Sequence, residues 1–66
     1  MCRNIKQLRR PAGEPTHEEL QLAALQFVRK VSGYRKPSRA NQAAFDRAVA
    51  EVAAATRSLL DALIVK

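Results

Sequence analysis

The chain has 66 residues and a net charge of +6, so it holds one domain at most, and folding can bury only a small core. Apolar residues make up 47% of the chain, but twelve of them are Ala, which adds helix propensity and little buried area. A single cysteine, Cys2, excludes a disulfide within the chain, and with His17 as the only histidine a structural zinc site lacks its four ligands.

A core this thin usually needs help from a disulfide, a metal or a partner chain. With the first two excluded, we expect self-association, most simply as a homodimer. No apolar run approaches the roughly 20 residues of a membrane span, and the basic N-terminus lacks the apolar region of a signal peptide. We therefore expect a cytoplasmic protein that does not bind membranes.

The positive charge is unevenly distributed along the chain. Residues 1–39 carry nine Lys and Arg against three Glu, whereas residues 40–66 carry three of each sign. The entire excess therefore lies in the first 39 residues. A basic half beside a neutral half predicts a polyanion or another acidic partner.

Residues 1–15 are predicted to form an extended basic arm. Three residues that interrupt regular structure, Pro11, Gly13 and Pro15, fall within it, and Ile5 and Leu8 are its main apolar anchors. The arm offers a secondary set of cations for a polyanion, although it is equally interpretable as a solubilising tail. These cations are Arg3, Lys6, Arg9 and Arg10.

A short helix is predicted over about 16–32. Thr16 and Glu19 have the spacing of a capping box, and Gly33 suits the left-handed conformation that ends a helix. The apolar residues at helical spacing predict one buried face. That face is Leu20, Ala24, Phe27 and Val31.

A longer helix is predicted over about 38–65, with Ser38 as its N-cap after Pro37. Its apolar residues repeat at alternating spacings of four and three, in the order Phe45, Val49, Val52, Thr56, Leu59 and Leu63. The short connection forces an antiparallel pair, in which the first helix covers only about sixteen residues of the second. We expect Ile5 and Leu8 to pack on the uncovered end. That end comprises Leu59, Leu60, Leu63 and Ile64.

The fold class that follows is all-α, an antiparallel helical hairpin over 16–66 with the N-terminal arm, forming a single domain. The connection between the helices is the strongest functional candidate, because no acidic residue lies between Glu19 and Asp46 to offset its charge. Free backbone N–H groups at 38–41 and the surrounding cations would make an anion site. The residues are Arg29, Lys30, Arg35, Lys36, Ser38 and Arg39. The plainer alternative is a solvated loop with spare charge.

Two further features have functional interpretations. Leu22 and Leu25 lie toward the back of the first helix, where they are either scattered exposed leucines or a contact face for a partner helix. Cys2 and His17 are the only nucleophile and imidazole of the kind that a thiol enzyme uses, but no orienting acid accompanies them at a recognisable spacing. No phosphate loop, zinc spacing or Ser/His/Asp arrangement is present. We therefore expect no catalytic residues, no metal and no cofactor.

Several stretches resemble a known family. They are Met-Cys-Arg-Asn-Ile-Lys at 1–6, Leu-Arg at 8–9, Ala-Leu-Gln-Phe-Val-Arg-Lys-Val-Ser-Gly at 24–33, Lys-Pro-Ser at 36–38, Ala-Asn at 40–41, Ala-Phe at 44–45 and Ala-Val at 48–49. The chain resembles the domain of unknown function 2277 family of short bacterial proteins over nearly its whole length. That resemblance implies a small bacterial helical protein and supplies no activity. It also draws attention to the Met-Cys-Arg opening and to the turn between the helices.

Taken together, the sequence predicts a non-enzymatic binding module for a polyanion, nucleic acid first, through the basic turn. The alternative is a protein–protein interaction subunit that binds a helical partner through its apolar faces.

Overall fold

Two helices joined by a short connection form the protein in a computed structural model that describes residues 7–9 and 14–63. Helix α1 spans His17–Ser32, a single 3₁₀ turn spans Arg39–Asn41, and helix α2 spans Gln42–Ala62. No strand occurs in the described residues, and α1 packs against α2. The predicted all-α hairpin is thus confirmed. The predicted helix over 38–65 divides into the 3₁₀ turn and α2. The predicted end was too late, because α2 ends at Ala62 and Leu63 is already extended. Residues 64–66 lie outside the described part.

Helix α1 begins with the predicted capping box. The Glu19 N–H donates to Thr16 Oγ1 at 3.1 Å, and the Thr16 N–H donates to Glu19 Oε1 at 2.9 Å. The two bonds satisfy backbone donors that a helix start otherwise leaves without partners. At the other end, Gly33 adopts φ 79°, and its N–H donates to the Arg29 carbonyl at 2.9 Å. Both ends of α1 were therefore predicted correctly.

Replacing Thr16 by Ala is expected to destabilise the protein by about 1 kcal/mol, because the Glu19 N–H loses its acceptor at the helix start. In a chain of this size that cost corresponds to a fall in melting temperature of about 4–8 °C. Thr16→Ser keeps the hydroxyl and should melt close to the wild type. Equal melting temperatures for the Ala and Ser variants would show that the capping bond does not contribute to stability.

The 3₁₀ turn and α2 together form the second helical segment, and its N-cap differs from the prediction in the bond that the Ser38 hydroxyl makes. Ser38 is the N-cap of the 3₁₀ turn, and its carbonyl accepts from the Asn41 N–H at 3.0 Å. Its hydroxyl makes no capping bond to the backbone and instead accepts from Asn41 Nδ2 at 3.0 Å. The side chains of Ser38 and Asn41 thus bond each other, and neither one caps the backbone at the start of the second helical segment.

The core between the helices follows rows of residues four apart. Leu20, Ala24 and Val28 are buried in α1, and Phe45 and Ala53 are buried in α2. Such rows interdigitate when two helices pack with ridges in grooves. The row in α1 passes through Val28, so the predicted face was wrong in its second half.

Phe27 is 45% exposed and Val31 is 68% exposed, although both were predicted to face the core. In the antiparallel pair, the end of α1 lies opposite the start of the second helical segment. That start, residues 39–44, has no large apolar side chain, so nothing there can cover Val31. Phe27 lies beside the buried row, at the edge of the contact between the helices.

The predicted repeat of apolar residues in α2, which runs from Phe45 to Leu63, is buried only in its first part. Phe45 is buried, and Val49, Val52 and Thr56 are half-buried. The Thr56 hydroxyl donates to the Val52 carbonyl at 2.7 Å, which satisfies a polar group at the helix interface. Leu59 and Leu63, which are 57% and 42% exposed, were expected to be covered by the arm and are not covered by the described residues.

Leu8 packs against both helices instead of only the end of α2. It is 8% exposed and lies in a groove with apolar residues of both helices. Of the α2 residues that were predicted to contact Leu8, only Leu60 lines this groove. Ile5 and Ile64 lie outside the described residues. The other apolar residues around Leu8 are Ala23, Ala24, Phe27 and Val52. One buried leucine thus joins the N-terminal segment to the hairpin.

Candidate polyanion interface

Five cationic side chains gather at the end of the hairpin where the chain reverses, and they are called the basic turn below. Two occupy the last turn of α1, two the loop that follows Gly33, and one begins the 3₁₀ turn. The left-handed Gly33 stops α1 and makes this reversal possible, because other residues rarely adopt a positive φ. The five are Arg29, Lys30, Arg35, Lys36 and Arg39.

Arg29 is the one member of the basic turn that is held in place. It is half-buried, and its Nε donates to the Arg35 carbonyl at 3.0 Å, a bond that spans six residues. The bond uses one of five guanidinium N–H groups, so four can reach a ligand. It also ties the last turn of α1 to the loop and fixes the position of one positive charge.

A shallow groove of about 480 Å³ opens beside this bond. No carboxylate is among its lining residues, which are Gln26, Arg29, Lys30, Gly33 and Arg35. Lys30, Arg35, Lys36 and Arg39 are exposed, and within the described residues none of the five cations forms an ion pair. Three of the five cations therefore share this groove without a carboxylate, whereas Lys36 and Arg39 are not among the residues that line it.

The backbone donors predicted at 38–41 are only partly available. The Asn41 N–H is occupied by the Ser38 carbonyl, and the Ser38 hydroxyl is occupied by the Asn41 amide. The N–H groups of Ser38, Arg39 and Ala40 have no hydrogen-bond acceptor in the part of the chain that is described. Neither the 3₁₀ turn nor the first turn of α2 carries an acidic side chain. An anion is favoured here by the helix dipole and by these donors.

The predicted arm cations are not brought to the basic turn by anything in the described residues. Arg9 is exposed beside the groove that holds Leu8, and its carbonyl accepts from Gln7 Nε2 at 3.1 Å. The other predicted arm residues, Arg3, Lys6 and Arg10, lie outside the described residues. The arm therefore remains a separate, secondary prediction.

Gln26 and Gly33 also line this surface, although the charge pattern of the sequence does not point to them. Gln26 precedes Arg29 by three residues, which places both on one side of α1, and that spacing was the available signal. Its side-chain amide carries both donors and an acceptor, so it can contact a phosphate oxygen or a base edge. Tyr34, the only aromatic residue near the turn, is 44% exposed, and its N–H donates to Ser32 Oγ at 3.1 Å.

Other chemistry receives no support from the described residues. His17 is exposed in the first turn of α1, and Cys2 lies outside the described part of the chain. Over residues 7–9 and 14–63, no three His, Cys, Asp or Glu side chains are grouped so as to hold a metal ion. Within the same residues, neither helix combines the length and the apolar character needed to cross a membrane.

A family model matches the whole chain. The model of a family described as an uncharacterized conserved protein, DUF2277, matches residues 1–66. No curated protein and no solved structure matches the chain.

Proposed function

Because the chain belongs to the DUF2277 family, whose description gives no activity, we propose a function from the surface chemistry alone. The protein is a non-enzymatic binding module for a polyanion, with nucleic acid as the first candidate, and the basic turn is its contact surface. The observation that carries the proposal is that the five cations of the basic turn form no ion pair within the described residues, and that three of them line the groove beside the Arg29–Arg35 hydrogen bond.

The basic turn suits phosphate groups for electrostatic and geometric reasons. Arg29, held by the Arg35 carbonyl, offers its remaining N–H groups from a fixed position, and a guanidinium can bind two phosphate oxygens at once. Arg35, Lys36 and Arg39 follow it along the turn as exposed charges that can adapt to a backbone of variable shape. Such contacts position a protein on nucleic acid without selecting sequence. We therefore expect affinity for phosphate backbones and little discrimination among base sequences.

The test is to titrate labelled single- and double-stranded oligonucleotides with the protein at several salt concentrations and to follow fluorescence anisotropy. Three to five neutralised phosphates predict that log K falls against log salt with a slope of about 2.7 to 4.5 for duplex DNA. The slope for single strands should be about three quarters of that value, since fewer counterions are released per phosphate. Absence of binding at low salt would reject the proposal.

A second candidate function rests on the opposite side of the hairpin from Leu8. Leu22 is 55% exposed, and with half-buried Leu25 it lines an open groove of about 650 Å³ between the helices. Phe45 and Val49 form the apolar wall from α2, and four polar side chains also line the groove. These are His17, Glu18, Gln21 and Asp46. An amphipathic helix of a partner protein would fit such a groove.

The two functions use different surfaces and can be separated. Leu22→Ser removes apolar area from the groove and leaves every cation of the basic turn in place. Oligonucleotide binding should therefore be unchanged in this variant, whereas capture of a helical partner should be lost. Loss of oligonucleotide binding in Leu22→Ser would show that the nucleic-acid contact involves the Leu22 groove and would contradict its assignment to the basic turn.

A further inference from the structure

The hairpin exposes more surface than a compact chain of its mass. Its accessible area is 5554 Å², whereas a folded monomer of 7.3 kDa is expected to expose about 4,200 Å². The Cα radius of gyration is 13.0 Å, against about 11 Å for a compact domain of this length. Even if half of the excess belonged to the terminal segments, the remaining area of about 700 Å² would approach the area that each partner buries in a standard protein interface.

The shape explains this excess. The molecule measures 45 × 21 × 16 Å, so it is a single layer of two helices, whereas stable domains pack at least two layers around a core. Besides Pro15, the described residues contain only six buried apolar side chains, two of them Ala. A second layer is therefore missing, and a second copy of the chain is the simplest way to supply it.

One face of α2 is suited to that second copy. Ala48, Val52, Ala55 and Leu59 repeat at spacings of four, three and four and fall within about 60° of the helix circumference. They run beside the row that packs on α1, and this outer row contains no charged residue. Val52 lines the Leu8 groove together with Phe27, so the exposed part of Phe27 extends the same face.

The order of sizes in this row favours an antiparallel arrangement. A two-fold axis between positions 53 and 54 places Ala48 opposite the partner's Leu59 and Val52 opposite the partner's Ala55. Each large side chain then meets a small one, which lets the helices approach closely and fills the space between them. A parallel arrangement would place Leu59 against the partner's Leu59 and would leave gaps at the alanines.

The distribution of charge along the chain also favours the antiparallel arrangement. The excess of positive charge lies in residues 1–39, and the basic turn sits at the start of the second helical segment. A parallel pair would place two basic turns side by side. An antiparallel pair separates them along a body 45 Å long, well beyond the screening distance of about 8 Å in physiological salt.

We propose that a second copy of this chain packs on the outer row of α2, antiparallel and related by a two-fold axis, to give a four-helix homodimer. The interface is Ala48, Val52, Ala55 and Leu59, flanked by Phe27. This proposal does not depend on the proposed binding of polyanions.

The first test measures mass and stability. Wild-type protein should have a mass near twice 7.3 kDa by light scattering or sedimentation, and its melting temperature should rise with protein concentration. Ala55→Glu buries two carboxylates in an apolar interface and should raise the dimer dissociation constant by about a hundredfold or more. The matched control is Ala54→Glu, because Ala54 is also exposed but is turned about 100° away from the outer row.

The outcomes separate clearly. Dissociation of Ala55→Glu with Ala54→Glu still dimeric supports the proposal, and so does dissociation accompanied by loss of helical circular dichroism, which shows an obligate dimer. A wild-type monomer at all concentrations overturns it. Equal effects of the two Glu variants would overturn the assigned face.

The second test checks the antiparallel register. Leu59→Ala leaves a gap opposite the partner's Ala48, and Ala48→Leu places two leucines in a space made for one. Each single variant should weaken the dimer about tenfold, and the double variant should restore it, since a large residue again meets a small one. Additive losses in the double variant would overturn the pairing of Ala48 with the partner's Leu59.

Discussion

Replacing Arg35, Lys36 and Arg39 together by Glu should remove most binding of oligonucleotides and flatten its dependence on salt. Three exposed cations around the start of the second helical segment become three anions, so contacts with about three phosphates are lost. The slope of log K against log salt for duplex DNA should then fall by about 2.7. Anisotropy titrations of wild type and variant over the same salt series measure both quantities.

Loss of binding in this variant should not come from unfolding. The three new carboxylates lie near a helix start, where the dipole and free N–H groups favour negative charge, each by about 0.3–1 kcal/mol at low salt. The melting temperature should therefore stay level or rise while binding falls. A fall in both would show that the cations are needed for the fold, and the binding result would then require a milder variant such as the triple Gln replacement.

A matched control separates local contacts from total charge. Replacing Arg47, Arg57 and Lys66 by Glu changes the net charge by the same amount at positions that do not belong to the basic turn. If the turn is the contact surface, this control keeps most of the salt slope. An equal loss in the control and in the triple variant of the turn would mean that binding reports only overall charge.

Replacing Leu8 by Ala should have the largest effect on stability of any single truncation in residues 7–9. Leu8 is 8% exposed and packs in the groove between the helices, and it is one of the few buried apolar residues in the described part of the chain. Because this groove is open on one side, we expect the low end of the range for buried leucines, about 2 kcal/mol. That corresponds to a fall in melting temperature of about 8–16 °C.

Two comparisons make the Leu8 result specific. Gln7→Ala alters the exposed neighbour and should melt close to the wild type, while deletion of residues 1–10 should destabilise the protein at least as much as Leu8→Ala. All variants are compared at one protein concentration, since the stability of a dimer varies with concentration. An unchanged melting temperature after the deletion would contradict the role given to this segment.

The candidate site was predictable in composition but not in arrangement. The charge excess before position 40 and the absence of acidic residues between Glu19 and Asp46 are properties of the sequence, and they pointed to the basic turn directly. The bond from Arg29 Nε to the Arg35 carbonyl was not predictable, because it depends on how the loop folds back over the end of α1. The same holds for the Ser38 hydroxyl, which bonds the Asn41 amide instead of the helix backbone.

Local signals in the sequence were sufficient to predict where α1 begins and ends. Thr16, Glu19 and Gly33 act through hydrogen bonds that span three or four residues, so their effect does not depend on the rest of the molecule. Tertiary structure alone decided which side chains are buried. Positions three and four apart lie on nearly the same side of a helix, so periodicity did not distinguish Val28 from Val31. Burial depends on what the neighbouring helix offers opposite each position, and that is fixed only when α1, α2 and Leu8 pack together.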